Sequence, residues 1–360
     1  MRILIFTASD SSMSSIRPEA EMFIGFSRRG HKVTIVTDAN SELADIYRNE
    51  GIKVVDCQPK KKISLSAIRI VKDELKNHHY DILLAMNSKS IPNGAFAAIG
   101  TDVKLVTYRG TTGGLYRHDP SAYLTHLHPR VDGVVCVSDA VREDVQSKVW
   151  SRNVKVVTIY KGHNLNWYNK SPADLSEFGI SKDDFTLICA VNVRPSKGIP
   201  VMIDAADQLA DIKNLHLLLV GRNMDVYSEM ISKNRMKDRI HITGYRHDVP
   251  ELIAASDVLV QPSISGEGLP RAVMEAMAYG TATILTTTGG GKEVAQDGVT
   301  GFVVPTNNSG AIAEKVRLLY DDPELLSSMG EKSRKRIEND FNNERTIDAY
   351  LEYFDSLIKR

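Results

Sequence analysis

The sequence predicts an α/β protein of two doubly wound, Rossmann-like units, and three observations carry that expectation. Short apolar runs alternate with helix-period stretches from Arg2 to Val304, the pattern of parallel sheets covered by helices on both faces. The alternation is interrupted at residues 166–184, a polar stretch with Pro172 and Gly179 that reads as a linker. At 360 residues the chain can build two cores of ordinary size. The expected division is residues 1–165, residues 166–340 and a terminal helix, 341–360.

In the first half, residues 3–6, 33–36, 52–55, 81–84 and 103–107 are short runs rich in Val, Ile and Leu, as buried parallel strands should be. Residues 134–138 and 154–159 continue the series. Residues 18–29 read as a helix begun by Pro18 and closed by Gly30, and 64–76 as another. Lys60, Lys61 and Lys62 precede the latter; they are either solvated charge before a packing helix or a contact for anionic lipid. In the second half, strands are expected at 185–191, 215–220, 240–243, 257–261, 282–286 and 302–304. In the tail, Phe341, Ile347, Tyr350, Leu351, Phe354 and Leu357 recur at helical spacing.

Composition excludes several classes. No apolar run approaches the ~20 residues of a membrane span, and the first run is too short for a signal peptide. Cys57, Cys136 and Cys189 each lie in or beside an apolar run, which suits buried thiols in a reducing cytoplasm. Net charge is zero, yet residues 1–165 hold 23 Lys and Arg against 17 Asp and Glu, or +6, leaving −6 for the remainder. Such an excess either attracts an anionic partner, such as the inner face of a plasma membrane, or serves only solubility. No basic run is interleaved with aromatics in the manner of a nucleic-acid groove. His118, His126 and His128 lack neighbouring acids or cysteines at ligand spacing, so no metal site is expected there.

The stretch 261–280, QPSISGEGLPRAVMEAMAYG, is the most informative. An apolar run ends at Pro262 and Ser263, Gly266 and Gly268 open a turn, and Pro270 suits the first position of a helix that Gly280 closes. Glu267 lies in the turn and Glu275 eight positions on, amid Ala272, Val273, Ala276 and Met277. Such a carboxylate is expected to be buried and to need a hydrogen-bonding partner. The other unusual residues also follow strands: Asn192, Arg194 and Lys197; Gly221 and Arg222; Gly244, Tyr245 and Arg246; Gly289, Gly290 and Gly291 with Glu293. A doubly wound sheet gathers such positions along one edge. Arg194 and Lys197 can neutralise a diphosphate, and Gly268 and Leu269 offer backbone N–H groups ahead of a helix.

The run EGLPRAVMEAMAYG, followed by TTTGGGKEV and DGVTGFVVP, resembles the donor half of the retaining family 4 glycosyltransferases of GT-B architecture, the glycosyl transferases group 1. The resemblance is strong from Val131 onward and looser before it. It implies two units facing a central cleft, with the last helix crossing back to the first, acceptor-binding unit. It further implies transfer of a sugar, with retention and without metal, from a nucleotide-sugar donor to a saccharide or lipid-linked acceptor. Bacterial polysaccharide or lipopolysaccharide synthesis is the expected setting. No cofactor is expected, and a UDP-sugar is favoured over GDP- or ADP-sugars. Arg194, Lys197, Glu267 and Arg109 are then catalytic, Glu275 meets the ribose, and Gly244, Tyr245 and Arg246 flank the base. Asn192, Gly221, Arg222, Gly268, Leu269 and Gly290 complete the donor site.

The chain departs from that pattern at four places. Ser14 and Ser15, with Arg17 in the loop expected at residues 7–17, stand where relatives carry Gly-Gly near the acceptor. Arg109 replaces a His that reaches the donor sugar; it would meet the diphosphate, an acidic sugar or an acidic acceptor. Lys161-Gly162-His163-Asn164 replaces Asn-Gly-Val-Asp. Lys197 follows Arg194 by three positions instead of five, unless Asn192 fills the first slot. Ser138 falls at the acceptor-side edge of the cleft. The competing expectations are a GT-B-shaped sugar-nucleotide epimerase and a non-catalytic sugar-nucleotide-binding protein.

Overall fold

The computed structural model describes residues 1–7, 13–151 and 153–359, arranged as two compact units: Met1–Gly162 with Asn343–Arg360, and His163–Asn342. The first unit is a parallel sheet of β1 (Arg2–Phe6), β2 (Lys32–Thr37), β3 (Lys53–Asp56), β4 (Ile82–Ala85), β5 (Lys104–Arg109), β6 (Gly133–Cys136) and β7 (Lys155–Thr158). Its order is β3-β2-β1-β4-β5-β6-β7. The helices are α1 (Met13–Arg28), α2 (Glu42–Asn49), α3 (Leu65–Asn77), α4 (Ser90–Ala97) and α5 (Asp139–Gln146). Ile3, Leu4, Ile5 and Phe6 are wholly buried, which is why the run carries no polar alternation.

One expectation needs correction. The stretch 13–17, read as loop, is helical, and α1 is two helices joined at Ile16, whose φ of −131° and ψ of 23° lie outside the helical range. Pro18 explains the join: it offers no N–H, and its ring crowds the carbonyl four residues back. The side chains of Ser14 and Ser15 lie outside the described residues, as does the remainder of that loop, 8–12.

The second unit repeats the architecture with β8 (Phe185–Ala190), β9 (Leu215–Val220), β10 (Ile240–Gly244), β11 (Val258–Gln261), β12 (Ala282–Thr286) and β13 (Phe302–Val304). The order is β10-β9-β8-β11-β12-β13, and every pair described is parallel. Around it lie α6 (Ile199–Asp207), α7 (Ser228–Ser232), α8 (Val249–Ala254), α9 (Arg271–Tyr279), α10 (Gly291–Val294), α11 (Ser309–Asp321) and α12 (Pro323–Asp340). Strand order reverses between β8 and β11, so a crevice opens beyond their carboxyl ends. Residues 166–184, expected as a linker, are part of this unit. Ala173 N donates to Glu251 O at 3.0 Å, and Arg246 reaches Glu177 at 2.9 Å.

The last helix, α13 (Asn343–Ile358), belongs to the first unit. Ile347, Tyr350, Tyr353, Phe354 and Leu357 enter the first unit's core, with Phe354 edge-on to Phe26 at 5.9 Å between ring centroids. Two glycines make room for it. A Cβ on Gly25 would sit 2.2 Å from Ile347 Cδ1, and one on Gly133 would sit 1.9 Å from the Tyr353 hydroxyl.

Candidate functional site

The loops beyond the carboxyl ends of the second sheet are tied to one another through backbone. Val191 N donates to Val220 O at 3.0 Å, Gly221 N to Gly244 O at 2.9 Å, and Ile264 N to Ser196 O at 2.8 Å. Such approaches leave no room for side chains. A Cβ on Gly198 would fall 2.0 Å from Pro262 O, and one on Gly289 1.8 Å from Glu267 O; both residues have positive φ, +66° and +48°. Scattered glycines in the sequence thus become one seam along the sheet edge.

Glu267 is the hub of that seam. It is 6% exposed, and its Oε1 accepts from Lys197 Nζ at 2.5 Å, Ser263 Oγ at 2.5 Å and Gln261 Nε2 at 3.1 Å. Lys197 follows β8 and Glu267 follows β11, so the pair bridges the point where strand order reverses. Three donors on one oxygen fix the carboxylate's orientation and leave Oε2 outside these bonds. Gln261 and Ser263 were not singled out from the sequence, although polar residues closing a buried strand signal a use. Thr286, also missed, donates to Ser263 O and holds that turn.

Glu275 is buried on α9, 5% exposed, and accepts from Arg271 Nε at 2.7 Å one turn back. Burial raises its pKa above the ordinary value, and Arg271 opposes the rise. The helix starts at Arg271, with Pro270 as its cap, and ends at Gly280 with φ of +80°. Gly268 and Leu269 therefore precede it by a turn. Arg194 and Asn192 are exposed at the mouth of the Lys197 loop. Gly290 N approaches Glu267 O at 3.4 Å, and the Glu293 carbonyl is held by Arg336 at 2.9 Å.

On the far side, the Arg222 guanidinium lies 4.3 Å from the Tyr245 ring centre, and Tyr245 is 49% exposed. Arg246 is otherwise engaged. It donates to both oxygens of Asp248, at 2.8 and 2.7 Å, and to Glu177. These carboxylates raise its pKa, so its charge is neutralised within the unit.

The candidates in the first unit are placed differently from expectation. Arg109 turns onto its own loop, donating to Thr111 O at 3.0 Å and to Gly113 O. Burial lowers its pKa, opposed by the Asp144 carboxylate. Beside it His126 is pushed down to about 3 by burial and that guanidinium, and it bonds Thr107 at 3.0 Å. His128 accepts from Arg130 N at 3.1 Å, and His118 stacks on Tyr116. The three histidines serve separate purposes. The Ser138 hydroxyl caps α5 by accepting from Val141 N at 3.4 Å, and Arg17 lies 3.7 Å from Glu21.

Two open parallel sheets, each reversing its strand order, define the class: a GT-B protein. Residues 171–336 match the family model described as Glycosyl transferases group 1, and residues 20–167 match Glycosyltransferase Family 4, so the chain belongs with the GT-B group 1 glycosyltransferases. Among curated relatives, the N-acetyl-alpha-D-glucosaminyl L-malate synthase of Bacillus anthracis is 29% identical over 72% of this chain and 70% of that protein. The UDP-Gal:alpha-D-GlcNAc-diphosphoundecaprenol alpha-1,3-galactosyltransferase of Escherichia coli is 24% identical over 63% and 61%. The lipopolysaccharide core biosynthesis glycosyltransferase LpsE of Rhizobium meliloti is 24% identical over 61% and 63%. The matches to these last two span less than two thirds of their length.

Among solved structures, a glycosyltransferase from Rickettsia africae matches with a TM-score of 0.84 at 20% identity, covering 100% of this chain and 99% of that one. Anabaena HepE in complex with UDP-glucose matches with a TM-score of 0.78 at 22% identity, covering 99% and 100%. At such identities these likenesses speak for the fold.

Proposed function

We propose that this protein transfers a sugar from a nucleotide-sugar donor to a saccharide or lipid-linked acceptor, with retention at the anomeric carbon and without a metal ion. The setting would be synthesis of a bacterial cell-surface polysaccharide or lipopolysaccharide. The single observation that carries the reading is the Lys197–Glu267 pair, a cation and a carboxylate bonded at 2.5 Å across the switch point of the second sheet. Lys197, with the exposed Arg194, would take the donor diphosphate and stabilise the charge that grows on it as the glycosidic bond breaks. These cations supply the neutralisation that a divalent ion supplies elsewhere. Glu267 Oε2 would accept from a hydroxyl of the sugar, and Glu275 from the ribose. Tyr245, with Arg222 over its ring, offers a surface to the base. A UDP-sugar is favoured: the Escherichia coli relative is named for UDP-Gal, and HepE was crystallised with UDP-glucose.

The test is incubation with UDP-, GDP- and ADP-sugars and a panel of saccharide and lipid-linked acceptors, scored for nucleotide release and for the anomeric proton of the product. Transfer with retained configuration supports the proposal. Epimerised donor without transfer, or inversion, would overturn it.

A further inference from the structure

The surface at the start of α3 takes no part in the site above. Lys60, Lys61 and Lys62 are exposed there, followed by Ile63 at 44% and Leu65 at 82% exposure, with Ile70 at 37% further along. A single exposed Leu needs no explanation. Three aliphatic side chains set among cations form a surface of two chemistries. On α3, Leu65, Arg69, Lys72 and Lys76 recur at spacings of four, three and four, so they share one stripe. Ala67, Val71 and Leu75 are buried on the opposite face.

The basic loop is pinned to the unit. Asn93 of α4 is 0% exposed, and its amide donates to Lys61 O at 3.3 Å and Lys62 O at 3.2 Å while accepting from Ser64 N at 2.8 Å. Ser64 in turn caps α3. A buried amide therefore fixes the backbone of three consecutive lysines beside two exposed aliphatics.

The bordering acids do not offset this charge. Asp73 is exposed on α3, and the Asp119 carboxylate, held by Ser121 at 2.8 Å, feels the Lys62 ammonium. Glu74 is occupied by Lys53 at 2.6 Å and Tyr80 at 2.5 Å. Lys60, Lys61, Lys62, Arg69, Lys72 and Lys76 thus face two acids not so engaged.

We propose that this face of the first unit docks peripherally on an anionic phospholipid surface. The lysines and Arg69 meet headgroup phosphates, and Ile63 and Leu65 enter the boundary of the acyl region. Charge complementarity selects the partner, and interleaved aliphatics distinguish a bilayer from other polyanions. A single-stranded nucleic acid stacks its bases on aromatic rings, whereas the apolar side chains here are aliphatic. No described helix is long and apolar enough to cross a membrane, so the contact is with the surface.

The test is co-sedimentation of the full chain with vesicles of phosphatidylglycerol and phosphatidylcholine, against phosphatidylcholine alone. Binding should require phosphatidylglycerol and weaken with salt. Each basic residue near such a surface is worth about fivefold in partition, so Lys60→Ala/Lys61→Ala/Lys62→Ala should lose on the order of a hundredfold. Leu65→Asn should lose about tenfold, and thermal melts of both variants should match the wild type because the altered side chains are exposed. Absence of wild-type binding, equal binding to both vesicle types, or full binding by the triple variant would each overturn the proposal. So would lipid-free self-association that Leu65→Asn abolishes, which would assign the face to a second copy of the chain.

Discussion

At the scale of single residues, the two glutamates do different work and should fail differently. Glu267 receives three donors on one oxygen, so Glu267→Gln puts an amide against Lys197, Ser263 and Gln261. A loss of transfer by 10²–10³ is expected, with the melting temperature moved by only a few degrees, measured by initial rates and calorimetry. Glu275 is held charged against its burial. Its folded pKa is raised above the ordinary 4.5, so the folded state binds the proton more tightly than the unfolded one. Stability from this group is therefore present below that pH and lost as pH rises through the interval between the two values. Glu275→Gln should melt higher than the wild type at neutral pH, with the gap closing in mild acid, while donor binding weakens. Equal gaps at both pH values would contradict the assignment of the shift.

Arg109 shows where the sequence stops being legible. Its position after β5 is plain in the residue pattern, but its partners are carbonyl oxygens of Thr111 and Gly113, whose directions only the folded loop decides. Arg109→His should loosen that loop and cost neutral and acidic donors equally. A shift in preference toward neutral sugars by about 1–3 kcal/mol would instead place the guanidinium on the donor.

Among elements, the thirteen strands were legible because runs buried on both faces leave few polar interruptions. The start of α1 was not, since Pro18 resembles a helix opening while a short helix precedes it. Gln261 and Ser263 escaped notice for a related reason: a short polar run after a strand looks like any turn until its side chains converge. The terminal helix is where energetics decide most. Ile347, Tyr350, Tyr353, Phe354 and Leu357 are each at most 6% exposed. At about 1.5–3 kcal/mol per large apolar side chain, their loss removes on the order of 10 kcal/mol, comparable to the whole stability of a domain. A chain ending at Asn342 should leave the first unit unfolded by hydrogen exchange while the second keeps its protection. Gly133→Ala, which sets a methyl against the Tyr353 hydroxyl, should cost about 1–3 kcal/mol by denaturant titration.

For the whole molecule, the glycosyltransferase reading rests on loops of the second unit meeting at one sheet edge, each supplying one group. Lys197 comes after β8, Arg222 after β9, Tyr245 after β10 and Glu267 after β11, while Glu275 lies on the helix that follows. Nothing in the spacing of these residues along the chain joins them; strand order does. The most direct test is the structure of a crystal soaked with UDP. The account predicts the diphosphate beside Lys197, the ribose against Glu275 and the base toward Tyr245. Nucleotide bound elsewhere, or an unchanged Lys197–Glu267 pair with no nucleotide at saturating UDP, would contradict it.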